Sequence, residues 1–193
     1  MSVHRRRLLT SVAAVGLAGL AGCTSESGDD RYRVGSDDDG STDTDFPDAA
    51  VPTATTGPNW EWQGSVPVES GVQYHDPSCG CCSVYVEYLE DAGLEITIEE
   101  VDDLDAVKAE RNIPEEAQSC HTVEFGEYLL EGHVPLEAIE RLFNERPDVD
   151  GLTERTMPNN SPGMGPPGET PLTVYTFETD GTVEPFLEVE RDT

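Results

Sequence analysis

Two short segments of this 193-residue chain carry four cysteines between them. Cys79-Gly80-Cys81-Cys82 holds three, with C-x-x-C spacing between its first and last thiols, and Cys120-His121 follows about forty residues later. Thiolates attack disulfides and bind soft metals, and imidazole is a further copper ligand. The sequence therefore predicts thiol chemistry or metal binding at this place, provided that the fold brings the two segments together.

The elements around the cysteines follow from the spacing of apolar residues. Val72 and Tyr74 alternate with polar residues and predict a strand that ends near His75. A helix is predicted after the cysteines, ending at Gly93, because apolar residues recur at helical spacing (Val84, Tyr85, Tyr88, Leu89 and Ala92). A strand over 94–99, a helix over 103–112, two strands turning at Gly126 and a helix after Pro135 complete the pattern.

This order, β-α-β-α-β-β-α, predicts an α/β fold with a thioredoxin-like sheet and helices on both faces. A Pro- and Gly-rich stretch over 147–171 leads to a C-terminal β-hairpin extension, Leu172–Phe177 and Val183–Val189, turning at Asp180-Gly181. In such a sheet the Cys79 loop begins a helix, whose N–H groups favour thiolates, and Cys120 precedes a neighbouring strand. We expect the four thiols to converge at one end of the sheet.

Three kinds of chemistry fit four converging thiols. Structural disulfides allow three pairings, although the adjacent Cys81 and Cys82 make two bridges crowded. Thiol–disulfide exchange needs only Cys79 and Cys82. A soft metal would use all four thiols, and three cysteines in one loop suit Cu(I) better than zinc, whose ligands usually come in pairs from two loops. We favour copper as Cu(I), with zinc as the alternative metal.

Five further residues are additional candidate metal ligands, and each also has a structural interpretation. His121 adjoins Cys120, and His133 lies between Gly132 and Val134; both could instead bond backbone carbonyls. His75 precedes Asp76-Pro77, a pair that could cap the next helix. Two methionines of the Pro- and Gly-rich stretch could close over Cu(I) as thioether ligands or simply cover the core, namely Met157 and Met164.

The first 23 residues have the parts of a lipoprotein export signal. Arg5-Arg6-Arg7-Leu8-Leu9 resembles a twin-arginine signal, and Leu20-Ala21-Gly22-Cys23 matches a lipobox. The apolar stretch between them, 12–21, is shorter than the about 20 residues that a membrane-spanning helix needs. We expect Cys23 to be lipidated and the protein to be anchored to the outer face of the cell membrane. An uncleaved anchor or a plain secretory signal is the alternative.

Residues 24–66 predict a disordered acidic linker, because Ser, Thr, Asp, Gly and Pro dominate and no apolar period occurs. Trp60 and Trp62 near its end are interpreted as packing on the domain surface rather than as a binding patch. The thioredoxin-like metal-binding domain is then expected over 67–190.

The chain is strongly acidic, with 40 Asp and Glu against 11 Lys and Arg and a formal net charge of −29. Self-repulsion opposes folding at low salt, whereas salt of about 1 M shortens the Debye length to roughly 3 Å. The composition indicates adaptation to a saline environment, as in halophilic archaea, with a cation-binding surface as the alternative. It argues against nucleic acid as a partner, because phosphates would be repelled.

Three segments resemble the CopG-like family of metal-binding domains of formerly unknown function: YHDPSCGCCSVYVEYLEDAG, SCHTVEFGEYLLEGHVP and MPNNSPGMG. The resemblance covers about residues 70–190, and C-x-C-C followed by S-C-H-T and E-G-H-V-P is specific. It implies a thioredoxin-like fold and an extracytoplasmic role in copper handling or resistance. Four residues fall on the family's motif cysteines, namely Cys79, Cys81, Cys82 and Cys120.

The resemblance names no reaction, so copper or thiol redox activity stays open. The membrane, through the lipid anchor, and a copper donor or acceptor protein are the expected partners. The alternatives are a thiol–disulfide oxidoreductase of exported proteins and a disulfide-stapled structural surface module.

Overall fold

The computed structural model describes residues 50–192, which form one mixed β-sheet with three α-helices. The strands are Thr53–Thr56 (β1), Ser70–His75 (β2), Glu95–Glu100 (β3), His121–Phe125 (β4), Tyr128–Gly132 (β5), Gly151–Glu154 (β6), Leu172–Phe177 (β7) and Val183–Arg191 (β8). The helices are Gly80–Asp91 (α1), Leu104–Glu110 (α2) and Leu136–Glu145 (α3), and short 3-10 helices lie at Pro58–Trp60 and Glu115–Ala117.

The eight strands of this part of the chain lie in the order β1-β8-β7-β6-β5-β4-β2-β3. The pairs β2/β3, β5/β6 and β1/β8 are parallel, and the remaining neighbours are antiparallel. The predicted α/β class and the element order from β2 to α3 are therefore present. The sheet is larger than the sequence predicted.

Helices cover both faces of the sheet, as the two sides of β4 demonstrate. Val123 and Phe125 point into the large apolar core, which also takes side chains from α1 and α3. Thr122 and Glu124, which alternate with them, bond to side chains of α2 and of the residue directly after it. Because successive residues of a strand face opposite sides, α2 lies across the sheet from α1 and α3.

The largest difference from the sequence prediction is β6, which lies inside the Pro- and Gly-rich stretch over 147–171. It pairs with β5 on one side and β7 on the other. The predicted C-terminal hairpin exists as β7 and β8, but β6 joins it to the rest, so it continues the sheet rather than extending beyond it.

The folded region also begins earlier than residue 67. Thr53–Thr56, which the sequence assigned to the linker, pairs in parallel with β8. Trp60 is 5% exposed, and its indole Nε1 donates to Gly165 O over 2.8 Å. Trp62 packs against the large core and its Nε1 donates to Glu140 Oε2. The export signal, Cys23 and residues 24–49 of the predicted linker lie outside the described residues.

In two helices, the most deeply buried residues are only in part those that the apolar pattern predicted. In α1, Tyr85 and Leu89 are buried, whereas Val84 is 45% exposed. In α2, Leu104 and Val107 are only half-buried, and the buried residue is Lys108. Among residues 50–192, no helix combines the length and the apolar character needed to span a bilayer.

Candidate metal centre

The loop between β2 and α1 places three cysteines at the beginning of a helix. Asp76 shapes this loop: its Oδ1 accepts a hydrogen bond from Ser78 N over 2.8 Å, and its carbonyl accepts one from Cys79 N over 2.9 Å. Cys79 is the N-cap residue of α1, and Cys81 and Cys82 lie in its first turn. The three sulfurs therefore lie at the positive end of the helix dipole.

Cys120 reaches the same place because β4 runs antiparallel to β2. His75, the last residue of β2, and His121, the first of β4, are directly paired. The residues that follow β2 and precede β4 are thus neighbours, and the four sulfur atoms all lie within 4.8 Å of one another. The convergence expected for the two cysteine segments is present in the structure.

The four cysteines are in two chemical states. Cys79 and Cys82 form a disulfide, and Cys82 is fully buried. Cys81 and Cys120 are free thiols and half-buried, with Cys81 Sγ 3.7 Å from Cys79 Sγ. Four thiolate ligands therefore become available only after a two-electron reduction of the disulfide.

A second group of metal-binding side chains adjoins the first and shares Cys120 with it. The ligand atoms of Cys120, His121 and His133 lie within 4.8 Å of one another. His121 Nδ1 is 3.2 Å from Cys120 Sγ, and the centroids of the two imidazole rings are 5.0 Å apart. Both histidines are buried.

The hydrogen bonding of His133 leaves one ring nitrogen free to bind a metal. His133 Nδ1 lies 2.6 Å from Pro162 O, and because a carbonyl can only accept, Nδ1 is the protonated nitrogen. Its Nε2, like that of His121, is buried without a hydrogen-bond partner in the described part of the chain. Buried polar atoms are normally satisfied, so these two unpartnered nitrogens suggest a ligand.

Burial sets the protonation of these groups. It lowers the pKa of His121 well below the ordinary value, with His133 as a further cause, and it also lowers the pKa of His133. Burial, with a contribution from Cys81, raises the pKa of the Cys120 thiol to about 12. At neutral pH the imidazoles are neutral and able to bind a metal, whereas Cys120 must release a proton to do so.

His75 does not join either group. Gln73 Nε2 donates to Cys82 O over 2.9 Å and lies 3.0 Å from His75 Nδ1. Because Gln73 offers a donor here, Nδ1 is the accepting nitrogen of His75, and its lone pair is used. The structure gives His75 a role in holding the loop, while Asp76 folds the turn before α1.

The two methionines lie on the loop that follows β6. Pro162, on this loop, accepts the hydrogen bond from His133, and Met164 is two residues further along and half-buried. Met157, near the start of the loop, is 39% exposed. The loop is thus fastened to the histidine group, and ligation by either thioether stays a prediction.

A buried polar network beside the site was missed by the sequence reasoning. Lys108 forms an ion pair with Glu131, and both side chains are buried. Burial raises the pKa of Glu131, while Lys108 acts in the opposite direction. One sequence signal existed: the chain's single lysine lies four residues after Leu104, and residues at that spacing share one face of a helix.

The donor set suits copper. Thiolate sulfur and imidazole nitrogen are both good copper ligands, and they are grouped where β2 ends, β4 begins and β5 ends. The fold and this cluster define the chain as a mixed α/β domain with a cysteine- and histidine-rich candidate metal centre.

Comparison with known proteins agrees with that class. The model of a family described as "Protein of unknown function, DUF411" matches residues 117–164, which include Cys120, His121 and His133. The chain is also similar to two solved structures of a copper resistance protein, CopG, designated form 1 and form 2. They are 31% and 32% identical to it, with TM-scores of 0.57 and 0.56.

The two matches cover 64% and 62% of this chain and 98% and 96% of the CopG chains. At this identity and coverage, the chain belongs to the CopG family. No curated protein shows a significant match to it.

Proposed function

We propose that the domain binds copper as Cu(I) and serves copper handling or resistance outside the cytoplasm. The observation that carries the proposal is the convergence of four cysteine sulfurs within 4.8 Å, next to two buried imidazoles with unpartnered nitrogens. Membership of the CopG family supports copper as the metal. The ligands would be Cys79, Cys81, Cys82 and Cys120, joined by His121 and His133.

Cu(I) is preferred over zinc because of how the thiols are distributed. Three of the four come from one short loop, so their sulfurs are well placed to bridge metal ions rather than to enclose one tetrahedral ion. The domain would take up the metal in its reduced form and then pass it to a partner protein, or oxidise it by giving one electron to an external acceptor.

A thiol–disulfide oxidoreductase is the second candidate function, and one observation favours it. The Cys79–Cys82 disulfide has C-x-x-C spacing and lies at the beginning of α1. The order of elements from β2 to α3, with β5-β4-β2-β3 adjacent in the sheet, supports a thioredoxin-like interpretation of this part of the fold. Such an enzyme would need neither Cys81 nor Cys120.

A disulfide-stapled structural module is the third interpretation. It has less support, because Cys81 and Cys120 are free thiols in the described residues and only Cys79 and Cys82 are paired.

The setting of the domain is proposed from the sequence. The lipobox at Cys23 would anchor the protein to the outer face of the cell membrane, and the acidic surface would keep it soluble in high salt. A copper donor or acceptor protein would be its partner, and nucleic acid would not.

The proposal is tested by Cu(I) competition with a chelator, under anaerobic conditions, on reduced protein in molar KCl. Cys23→Ser serves as the parent so that only the four domain thiols are present. Cys81→Ser and Cys120→Ser should each weaken Cu(I) binding by at least about tenfold, and Ser78→Ala, a loop residue without a soft ligand, should not.

Equal Cu(I) affinity in the parent and both cysteine variants would overturn the four-thiol site. Turnover of a model disulfide without copper, retained in Cys120→Ser and lost in Cys79→Ser, would instead establish the oxidoreductase. Metal counting and X-ray absorption on the loaded parent would give the number of copper ions and their sulfur and nitrogen ligands.

A further inference from the structure

The ion pair between Lys108 and Glu131 is the centre of a closed hydrogen-bond network. Lys108 Nζ donates to Glu131 Oε2 and, over 3.0 Å, to Thr122 Oγ1. Thr122 Oγ1 donates in turn to Glu131 Oε1. Glu131 Oε2 also accepts from Ser119 N over 2.7 Å. Both oxygens of the buried carboxylate are therefore bonded to groups of known position.

The network lies directly around the proposed ligands. Ser119 and Thr122 are the residues on either side of Cys120 and His121. Glu131 pairs with Thr122 across β4 and β5 and comes two residues before His133. One carboxylate thus ties the segment that carries Cys120 and His121 to the segment that carries His133.

This arrangement gives a physical reason for two sequence motifs. In S-C-H-T, the outer residues bond to Glu131 while the inner two face the candidate centre. In E-G-H-V-P, the glutamate receives those bonds and the histidine faces the centre. The two outer residues of S-C-H-T therefore bond to the glutamate of E-G-H-V-P.

Thermodynamic stability alone does not explain why a buried ion pair is present at this position. Removing two charges from water costs free energy that their attraction often fails to recover, and a well-packed apolar pair at the same place is frequently as stable. A carboxylate with every oxygen bonded does something that an apolar pair cannot, because it fixes the direction and spacing of the backbone groups around it.

We propose that Glu131 and Lys108 are positioning residues of the copper site, holding Cys120 and His121 at the correct distance from His133. The inference rests on the proposed copper function and adds to it. Residues that orient metal ligands through hydrogen bonds typically contribute about 10- to 100-fold in metal affinity, and we expect an effect of that size here.

The same helix and strand offer a matched control. Arg111, the residue directly after α2, pairs with Glu124, two residues after Thr122 on β4, over 2.6 Å. This second ion pair lies further along β4 from Cys120. Glu124→Gln removes a charge in the same neighbourhood without touching the network around the ligands.

The experiment compares the Cys23→Ser parent with Glu131→Gln, Glu124→Gln and the double variant Lys108→Met/Glu131→Leu. Cu(I) affinity is measured by chelator competition, ligand distances by X-ray absorption, and amide hydrogen exchange at 119–122 in the metal-free protein. Glu131→Gln and the double variant should bind Cu(I) about 10- to 100-fold more weakly, with altered copper–nitrogen scattering and faster exchange at 119–122. Glu124→Gln should match the parent.

The double variant protects the test against simple unfolding, because it replaces both charges by apolar groups. If it melts near the parent temperature and binds Cu(I) as tightly, the positioning role is overturned. That role is equally overturned if Glu124→Gln weakens binding as much as Glu131→Gln. Failure of the parent itself to bind Cu(I) would overturn the proposed function, a result distinct from either of these.

Discussion

Gln73 and Cys82 are joined by a buried hydrogen bond, in which Gln73 Nε2 donates to Cys82 O over 2.9 Å. The bond links β2 to the first turn of α1, and the same amide nitrogen lies 3.0 Å from His75 Nδ1. One side chain therefore holds both ends of the loop that carries Cys79 and Cys81.

Replacing Gln73 by Leu should destabilise the domain by about 1–3 kcal/mol, because the Cys82 carbonyl would lose its donor. Urea unfolding in molar KCl measures the change. Gln118→Leu is the control, since Gln118 also donates to a backbone carbonyl, that of Ile113, but is only partly buried and lies outside the cysteine loop. An equal loss of unfolding free energy in both variants would mean that the buried bond at the cysteine loop stabilises the domain no more than a partly buried one.

The pairing of the cysteines predicts a definite alkylation pattern. In air-purified protein, iodoacetamide under native conditions should modify Cys81 first and Cys120 more slowly, because burial raises the pKa of Cys120 and iodoacetamide attacks the thiolate. Cys79 and Cys82 should stay unmodified, because they are disulfide-bonded. After reduction and denaturation, all four should react. Peptide mass spectrometry distinguishes the sites.

The redox state should also control copper capture. In the oxidised domain, Cys79 and Cys82 are bonded to each other and cannot act as thiolate ligands. The oxidised domain should therefore bind Cu(I) at least about tenfold more weakly than the reduced domain. Modification of Cys79 without reduction, or equal affinity in both states, would contradict this pairing.

Cu(I) affinity should rise with pH between 6.5 and 9. The pKa of Cys120 is about 12, so the thiol is protonated throughout this range and binding must release its proton. Each such proton raises the binding constant about tenfold per pH unit. His121 and His133 should add nothing to this slope, because burial holds their pKa values below the ordinary one and they are already neutral.

Chelator competition at several pH values, with the chelator's own titration subtracted, gives this slope. In Cys120→Ser, the logarithm of the Cu(I) binding constant should rise by about one less per pH unit than in the parent. An unchanged slope would mean that Cys120 does not deliver its proton on binding and is not a ligand.

Salt should stabilise the domain. A net charge of −29 repels itself at low ionic strength, and molar KCl screens that repulsion. The melting midpoint should rise by about 5 °C or more between 0.05 M and 2 M KCl, which corresponds to roughly 1–2 kcal/mol for a domain of this size. Equal midpoints would argue against an acidic surface adapted to salt. Sucrose at matched osmolality is the control for effects other than charge.

The elements whose apolar residues recur at regular spacing could be predicted from the sequence. α3 follows from the spacing of Leu136, Ile139 and Phe143, all of which are buried. β6 could not be predicted, because its four residues lie in a Pro- and Gly-rich stretch and it is stabilised by pairing with β5 and β7. β1 escaped prediction for the same reason, since only β8 gives Thr53–Thr56 a partner.

The candidate site likewise has one part that could be predicted from the sequence and one part that could not. Cysteine spacing and predicted strand order were enough to bring Cys79 and Cys120 together, since both depend on local pattern and topology. Gln73 and Glu131 were missed, because a polar residue in a strand is normally expected to face water. Their burial depends on partners in other elements of the fold, Cys82 of α1 for Gln73 and Lys108 of α2 for Glu131.

Gly132 connects Glu131 to His133 and is predicted to tolerate no side chain. Its φ is +75°, a conformation that costs an L-residue about 1 kcal/mol, and a Cβ there would lie 2.3 Å from Glu154 O and 2.5 Å from Ser119 Oγ. These two atoms are themselves hydrogen-bonded over 3.2 Å, so a methyl group would have to separate them. Gly132→Ala should therefore force β5 and β6 apart beside the candidate centre.

Gly126 provides the comparison, because its φ is +64° but a Cβ there would meet no atom within 4 Å of it. Gly126→Ala should lower the free energy of unfolding by only about 1 kcal/mol, the backbone cost of the positive φ. Gly132→Ala should lower it by a further ~1–3 kcal/mol because of overpacking. Urea unfolding measures both changes. Cu(I) affinity should be unchanged in Gly126→Ala and reduced in Gly132→Ala, because His133 moves with the displaced backbone in the second variant. Equal stability and equal Cu(I) affinity in the two variants would show that the close contact at Gly132 has no part in placing His133.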